Sequence, residues 1–444
     1  MLQRYLFSES QLETPKEILF NASPLGRLRK VLPLEKLSKQ LPVKRHPQGA
    51  SAWFDRQGML ALLFLKAYTG LSDASLIEHL NGNWQMQLFC GILLGEHQQI
   101  GDETLVSRIR TQVAKHLDLS VFQRELLANW KGDMEQTHVN MQDATVYESY
   151  IKYPTEAKLL WDCCQFYQDL YERLRKEANL KKEKHSFEEQ KKKQRTFSLL
   201  RKKSHKKKQR RRSQLLRLLA RLEHLIQSVQ ERSGQKINLS ERTALRYQSV
   251  QQIIVQQRFL HENPGKKVSN KIVSLYKPYI RPIVRGKENK PVEFGIKVHM
   301  MQVNGINIIE HYNYEAYNEC KRLQSAVAFH KELFGSCLQV AGDRIYATNE
   351  NRRHLKGKKI AHNFIPKGKG DTPEKKQLRA LLNTARSTVL EGSFGNEKNH
   401  YGLRKIKARN QLNETLWVFF GVMTANAVKI AKRKAEKALP RAAA

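Results

Sequence analysis

A glutamate and a lysine near the C-terminal end of the sequence have the types and the spacing of a site for phosphate chemistry. Glu391 and Lys398 lie seven positions apart within residues 386–398. Seven residues make almost two turns of an α-helix, so both side chains would share one face if this stretch is helical. Gly392 and Gly395 weaken the prediction of a helix. A carboxylate can bind a divalent metal ion, and a lysine two turns away can steady a phosphate beside it.

Two aspartates elsewhere in the chain are candidates for the same site. Alternating residues over 139–143 predict a strand that carries Asp143, and a buried strand after residue 337 is predicted to end at Asp343. Each aspartate taken alone is more often a structural residue near the end of a strand. If both meet Glu391, the three carboxylates repel one another unless cations lie between them, so we expect two divalent ions, Mg²⁺ or Mn²⁺. One ion would activate a water or a 3′-hydroxyl, and the other would stabilise the leaving oxygen.

The elements that would position these acids are predicted from hydrophobic periodicity and turn residues. After the Asp143 strand comes a long helical stretch, from about residue 155 to 264. Asn304-Gly305 is then a strong two-residue hairpin signal between two strand-like segments. The later elements are predicted as a helix over 317–334, the strand before Asp343, a short strand over 359–365, a helix capped by Thr372 and a late apolar helix around 416–420. This order predicts an α/β protein with a mixed sheet, helices packed on it and a long helical insertion.

The charge of the chain indicates which partners to expect. A formal net charge of +37 over 444 residues adds self-repulsion to the folded state and exceeds what an ordinary surface needs. Nucleic acid is the simplest partner, and an anionic membrane surface is the second candidate. No run of about 18 apolar residues occurs, so no segment is expected to span a bilayer. The first residues lack the apolar core of a signal peptide, so we expect a protein that stays inside the cell.

The most basic part of the chain lies within the helical insertion, at 181–212. So dense a run of like charges repels itself unless a polyanion is bound. Nine Lys or Arg residues fall between positions 201 and 212, and we expect them to contact phosphates, although a solvated charged surface is the usual alternative. The residues assigned to DNA contact are Arg201, Lys202, Lys203, Lys206, Lys207, Lys208, Arg210, Arg211 and Arg212, with Arg285 and Lys287 from a later basic turn.

The part of the chain before the Asp143 strand divides in two. Residues 1–50 contain five prolines and are expected to form an arm and connector. Residues 51–132 are predicted to form short capped helices, compatible with helix-turn-helix DNA binding, and a small bundle without DNA contact is the alternative. The expected parts are an arm (1–50), a helical DNA-binding domain (51–132), a catalytic core (133–154 and 265–444) and a basic helical insertion (155–264).

These residues together resemble the DDE-type transposases of bacterial insertion sequences. The motifs that carry the resemblance are Asp143-Ala144-Thr145-Val146 with Tyr153-Pro154-Thr155, residues 292–297, residues 342–348, and residues 391–395 through Lys398-Asn399. The resemblance covers most of the chain and implies a ribonuclease-H-like catalytic core. It implies that Asp143, Asp343 and Glu391 fall on the three acidic positions and Lys398 on the basic position after the glutamate. Residues 54–110 also resemble the helical N-terminal domain common in these enzymes.

The sequence departs from the family pattern just before the glutamate. Related transposases often carry an arginine four positions before it and a tyrosine three positions before that. Those positions hold Ser387 and Thr384 here, and the nearest arginine is Arg386, five positions before Glu391. The role of Arg386 therefore stays open. Glu397 is a rival third acid, but a spacing of six from Glu391 would direct it elsewhere on a helix.

The resemblance implies an enzyme that cuts the DNA ends of an insertion element by metal-dependent hydrolysis and joins them to target DNA by strand transfer. A catalytically inactive DNA-binding protein derived from a transposase is one alternative, and a nuclease that does not join is another. Double-stranded DNA is the expected partner. A homodimer is expected because two ends must be brought together, and the expected location is the bacterial cytoplasm, at the nucleoid.

Overall fold

The protein forms two compact units. The computed structural model describes residues 14–42, 52–233, 239–285, 291–367 and 371–438. The first unit comprises Met1–Ser149, Ile296–Asn313 and Tyr317–Ala444, and the second comprises Tyr150–Gly295 and Tyr314–Ala316. The second unit thus begins earlier and ends later than the insertion expected at 155–264. Lys287, one of the residues assigned to DNA contact, lies outside the described residues.

Three short helices form where the sequence predicted an arm: α1 (Pro15–Ala22), α2 (Pro24–Lys30) and α3 (Leu34–Ser38). Leu28, Leu34 and Leu37 are at most 1% exposed, so these helices contribute to a core. Pro15 and Pro24 occupy first-turn positions, where a missing N–H is no loss. The prolines therefore mark the starts of helices, and the prediction of an arm and connector does not hold for residues 14–42.

Five further helices complete the N-terminal part of the first unit: α4 (Arg56–Thr69), α5 (Asp73–Gly82), α6 (Trp84–Phe89), α7 (Leu105–His116) and α8 (Leu119–Trp130). Asp55 and Ser72 cap α4 and α5, and their side chains accept hydrogen bonds from the N–H groups of Gly58 and Ser75. Every residue of α4 from Gly58 to Ala67 is buried, which makes α4 a central core helix. No single helix in the described ranges is long and apolar enough to cross a membrane, and α4 with α5 passes on length and composition only as a pair bent by 106°.

The strands are β1 (Val139–Glu148), β2 (Pro282–Val284), β3 (Val292–Val303), β4 (Ile306–Asn313), β5 (Gln339–Ala341) and β6 (Ala361–His362). In the first unit the sheet order is β4–β3–β1–β5–β6, with an antiparallel β3–β4 hairpin and parallel β1–β5 and β5–β6 pairs. The hairpin turns at Asn304 and Gly305, whose φ angles of 48° and 74° are those that an Asn-Gly turn requires. This mixed sheet with helices packed on it is a ribonuclease-H-like α/β core, as expected.

The described residues of the second unit form the long helices α9 (Glu156–Glu177), α10 (Phe187–Leu199), α11 (His205–Ser233) and α12 (Glu241–Glu262). Leucines spaced three and four residues apart on α11 are buried against α9, and Leu215, Leu222 and Leu225 are fully buried. Cys163 and Cys164 on α9 are free thiols in the same core. In this unit β2 also pairs antiparallel with the first residues of β3.

The remaining helices follow the hairpin: α13 (Leu323–Phe334), α14 (Asn349–Gly357), α15 (Pro373–Ala385), α16 (Glu391–His400) and α17 (Gln411–Ala438). Thr372 caps α15, and its hydroxyl accepts a hydrogen bond from the N–H of Lys375. A π-helical turn (Arg386–Leu390) joins α15 to α16 without a break. Helix α17 packs along α4, where the rings of Phe64 and Phe420 lie 4.9 Å apart. This packing joins the N-terminal helices to the sheet in one unit.

Candidate active site

The pairing of β1 with β5 brings the two predicted aspartates side by side. Met141 and Ala341 are the last partners in this parallel pair, and Asp143 and Asp343 each lie two residues farther along their chains. β5 ends before Asp343, whereas β1 continues to Glu148. Binding and catalytic groups of α/β sheets collect beyond the carboxyl ends of parallel strands. The candidate site therefore lies at the carboxyl end of β5, beside the middle of β1.

Arg386 joins the first aspartate to the glutamate. Its Nη1 atom lies 3.1 Å from Oδ2 of Asp143 and 2.9 Å from Oε1 of Glu391. The second oxygen of Asp143 is also engaged, because Oδ1 accepts a hydrogen bond of 2.8 Å from the N–H of Ala144. The structure therefore brings Glu391 to the Asp143 strand, and it does so through a residue whose role the sequence left open.

The π-helical turn explains why the position of Arg386 departs from the family pattern. The N–H of Glu391 donates to the carbonyl of Arg386, five residues back, whereas an α-helix would direct that N–H to residue 387. The turn thus contains one extra residue. Arg386 occupies the place that a regular helix would give to the residue four positions before the glutamate. Such π-turns are frequent at functional sites.

Lys398 also contacts β1, two turns along α16 from Glu391. Its Nζ atom donates a hydrogen bond of 2.9 Å to Oγ1 of Thr145 and lies 5.7 Å from the centre of the Tyr147 ring. Asp143, Thr145 and Tyr147 alternate along the strand, so their side chains share one face. One face of β1 therefore carries Asp143 and is contacted by Lys398. This agrees with the prediction that Glu391 and Lys398 lie on one face of a helix.

Glu397, the rival third acid, lies in the interior. It is 1% exposed, and it accepts hydrogen bonds from the Tyr147 hydroxyl and, at 2.5 Å, from the Asn307 side chain. Burial raises the pKa of Glu397, and burial beside this carboxyl raises the pKa of Tyr147. The contacts fix α16 against β1 and the hairpin, so Glu397 supports the helix that carries Glu391 and Lys398.

The electrostatics of Asp143 are those of a crowded acid. Its pKa is raised to about 6, chiefly by burial and also by the nearby Glu319 and Asp343, against the lowering effect of the Ala144 N–H and of Arg386. Glu319 forms an ion pair of 2.6 Å with Lys297. Sequence reasoning missed Glu319, because a charged residue in a short loop helix carries no signal of its own.

The carboxylates of the site are of the type that binds a hard cation, but the three predicted acids are not arranged around a common point for one. No group of three or more His, Cys, Asp or Glu side chains in the described ranges is placed to hold a metal ion. The predicted convergence of three acids around shared ions is therefore not met here, because the guanidinium of Arg386 lies between two of them. Even so, the oxygens of Asp143 and Glu391 that contact Arg386 are no more than about 6 Å apart, the sum of their distances to Nη1. Carboxylate oxygens this close, turned toward one positive charge, fit Mg²⁺ or Mn²⁺ in donor chemistry.

Comparison with known families agrees with this geometry. A transposase domain of the DUF772 family matches residues 13–112, and a transposase DDE domain matches residues 340–418. The chain carries the domains of a DDE-type transposase. The second match contains Asp343, Glu391 and Lys398 of the transposase, whereas Asp143 lies outside both matches. No curated protein and no solved structure matches the chain.

Three of the basic residues assigned to DNA contact are engaged within the second unit of the transposase. Arg211 is 3% exposed, and its guanidinium donates to the side chains of Gln194 and Gln190 at 2.9 and 2.7 Å. Arg212 pairs with Glu156, and Arg285 lies 3.0 Å from both oxygens of its own acid partner, Glu293. The burial of Arg211 corrects the sequence prediction at that position, whereas DNA contact by the part-exposed Arg212 and Arg285 stays a prediction.

All but one of the other basic residues between positions 201 and 212 face solvent, at the start of α11 and in the turn before it. Lys203 is half-buried, and its Nζ donates to the carbonyl of Leu200 at 2.6 Å. No ion pair within the described residues involves the exposed ones, which are Arg201, Lys202, Lys206, Lys207, Lys208 and Arg210. We call these six residues the α11 basic cluster. They remain available for phosphate, whereas the buried arginine that follows them is not.

Proposed function

We propose that this transposase cuts the DNA at the ends of an insertion element and joins the freed 3′-ends to target DNA by strand transfer. The observation that carries the proposal is the meeting of Asp143, Glu391, Lys398 and Arg386 on one face of β1, with Asp343 two residues beyond the end of the neighbouring strand β5. A ribonuclease-H-like sheet with acids at this edge is suited to phosphoryl transfer, in which positioning and charge stabilisation supply most of the catalysis.

Each group has a role that follows from its chemistry. Asp143, Asp343 and Glu391 would hold two Mg²⁺ or Mn²⁺ ions, which when bound activate the attacking oxygen and stabilise the leaving one. Lys398 presents an ammonium group to a phosphate or a terminal base, and Thr145 holds it against β1. Arg386 adds a planar guanidinium, which is suited to two-point contact with a phosphate.

The second unit supplies a surface for the DNA backbone. The α11 basic cluster presents six exposed positive side chains on one helix start and its preceding turn. We propose that this cluster contacts phosphates without reading the sequence. The transposase would act as a homodimer, because two element ends must meet, and it would work at the nucleoid in the bacterial cytoplasm.

The direct test is cleavage and joining of DNA that carries the sequences flanking the gene, in Mg²⁺ or Mn²⁺. We expect Asp143→Asn, Asp343→Asn and Glu391→Gln each to lower both activities at least about 100-fold, as removal of a metal-binding carboxylate should. Glu96→Gln changes an exposed acid of the N-terminal helical part and should leave both activities unchanged.

The outcomes separate the proposal from its alternatives. Full activity in any one of the three variants removes that residue from the catalytic set. DNA binding without any metal-dependent nicking by the unmodified protein would make it an inactive DNA-binding relative. Cleavage without strand transfer would make it a nuclease.

A further inference from the structure

We propose that Arg386 is the internal counter-cation of the acid site, and that its guanidinium leaves Asp143 and Glu391 for a DNA phosphate when a divalent ion takes those carboxylates. This inference rests on the proposed function. It goes beyond it by giving one side chain two alternative partners and an order in which they are used.

The contact geometry supports the first half of the exchange. One nitrogen of Arg386 bridges two carboxylates that belong to different elements, at 3.1 Å and 2.9 Å. Without this positive charge, Asp143 and Glu391 would face each other with only their repulsion, beside Asp343 and Glu319. Arg386 therefore does in the free protein what a metal ion would do in the loaded one.

The same oxygens cannot serve both cations well. A small divalent ion needs carboxylate oxygens at close to 2 Å in a fixed geometry. Oδ2 of Asp143 and Oε1 of Glu391 face a common point, and Arg386 now engages both of them there. A guanidinium left in place would also repel the incoming ion at short range. Occupation by one cation therefore opposes occupation by the other.

The contact of Arg386 with the two carboxylates is exposed to solvent on the side of Glu391. Asp143 and Arg386 are 17% and 16% exposed, whereas the side chain of Glu391 is 49% exposed. A guanidinium freed from these carboxylates would lie beside the half-exposed Glu391, where solvent reaches the site. There a phosphate can accept from it through two parallel hydrogen bonds.

The first experiment measures Mn²⁺ binding by the full chain without DNA, from the electron paramagnetic resonance signal of free Mn²⁺. We expect Arg386→Gln to tighten Mn²⁺ binding about tenfold, because a competing positive charge is removed. Arg386→Lys keeps the positive charge but loses the planar guanidinium. Its affinity for Mn²⁺ should therefore lie between those of the unmodified protein and of Arg386→Gln. Arg353→Gln, an exposed arginine on α14, is the matched control and should bind as the unmodified protein does.

The second experiment measures the affinity for a short DNA duplex in EDTA and in Ca²⁺, an ion with the same preference for oxygen ligands. In EDTA, Arg386→Gln should lower the affinity only slightly, because Arg386 is held by the acids and only its charge at a distance from the phosphates is lost. In Ca²⁺ the same variant should bind DNA about tenfold more weakly, because a charged contact to phosphate is missing.

The results distinguish the inference from the proposed function on which it rests. The exchange is overturned if Arg386→Gln and Arg386→Lys bind Mn²⁺ no more tightly than the unmodified protein does. It is also overturned if Arg386→Gln loses the same DNA affinity in EDTA as in Ca²⁺. If the unmodified protein binds no Mn²⁺ and Asp143→Asn behaves identically, the metal site of the proposed function fails together with the exchange. Circular dichroism of each variant identifies one that has not folded, in which case Arg386→Lys decides the question.

Discussion

The α11 basic cluster permits a quantitative prediction about DNA binding. Replacing its six residues by glutamine removes six exposed positive charges while leaving the buried contacts of Arg211 and the ion pair of Arg212 in place. The substitutions lie on the surface of the second unit, so we expect the fold to be retained. Any change in DNA affinity would therefore report on the cluster itself.

The magnitude follows from counterion release. Each phosphate neutralised by a basic side chain contributes a slope of about −0.9 to the dependence of log K on log salt for duplex DNA. If all six residues contact phosphate, the variant should lose about five units of that slope. Over a fourfold rise in salt, from about 50 to 200 mM, those contacts account for a roughly thousandfold change in affinity of the unmodified protein, which the variant should lack.

The assay is fluorescence anisotropy with a labelled duplex of arbitrary sequence, titrated at several salt concentrations. The matched control is Lys191→Gln with Lys193→Gln, because these lysines are already paired with Glu188 and Glu189 on the same helix. The control should lower the slope far less per residue. A cluster variant with the slope of the unmodified protein would refute the assignment of this surface to DNA.

Three further predictions concern stability. Arg211→Met should lower the free energy of unfolding of the second unit by about 2–4 kcal/mol in urea, because it leaves buried polar partners unpaired, while Arg210→Met should change it by less than about 0.5 kcal/mol. Burial and neighbouring acids raise the pKa of Asp143 in the folded protein from 3.8 to about 6. Protonation of Asp143 therefore favours the folded state, and the free energy of unfolding should fall by up to about 3 kcal/mol as the pH rises from about 4 through 6. Asp143→Asn in EDTA should therefore stabilise the protein at pH 8 and not below pH 4; equal effects at both would contradict this. Tyr147→Phe removes a hydroxyl that donates to buried Glu397 and should cost about 1–3 kcal/mol in thermal unfolding.

Local signals in the sequence were enough for the elements that carry the acids. The alternation around Asp143, the Asn304-Gly305 turn and the apolar run before Asp343 each depend on a short stretch of chain, and β1, the hairpin and β5 form where those signals lie. The seven-residue spacing of Glu391 and Lys398 likewise needs only one helix, and α16 provides it despite its two glycines.

Features that depend on distant partners could not be predicted in this way. Nothing within 181–212 distinguishes Arg211 from the exposed residues before it, because its burial is decided by glutamines on another helix. The reach of Arg386 depends on a π-turn, and counting residues on a regular helix gives the wrong register there. In the same way, the prolines before residue 42 were compatible with either an extended arm or helix starts until packing decided between them.

Comparison with other ion pairs of the first unit shows what is unusual about Asp143. Although burial opposes it, Arg110 and Lys66 hold the pKa of Asp73 below its ordinary value. Burial likewise opposes the lowered pKa of Glu310, which His299 and Arg322 hold down. At Asp143 the balance is reversed, because burial and neighbouring acids raise the pKa in spite of Arg386.

One arginine thus leaves the negative charge at this edge of the sheet only partly compensated. A structural ion pair stabilises its own charges, whereas a site that must accept an incoming cation has to keep some of its charge uncompensated. The incomplete neutralisation of Asp143 is therefore the electrostatic feature that separates the candidate active site from the structural ion pairs formed by Asp73 and Glu310. A divalent ion that displaced Arg386 would bind where its guanidinium now bridges the two carboxylates.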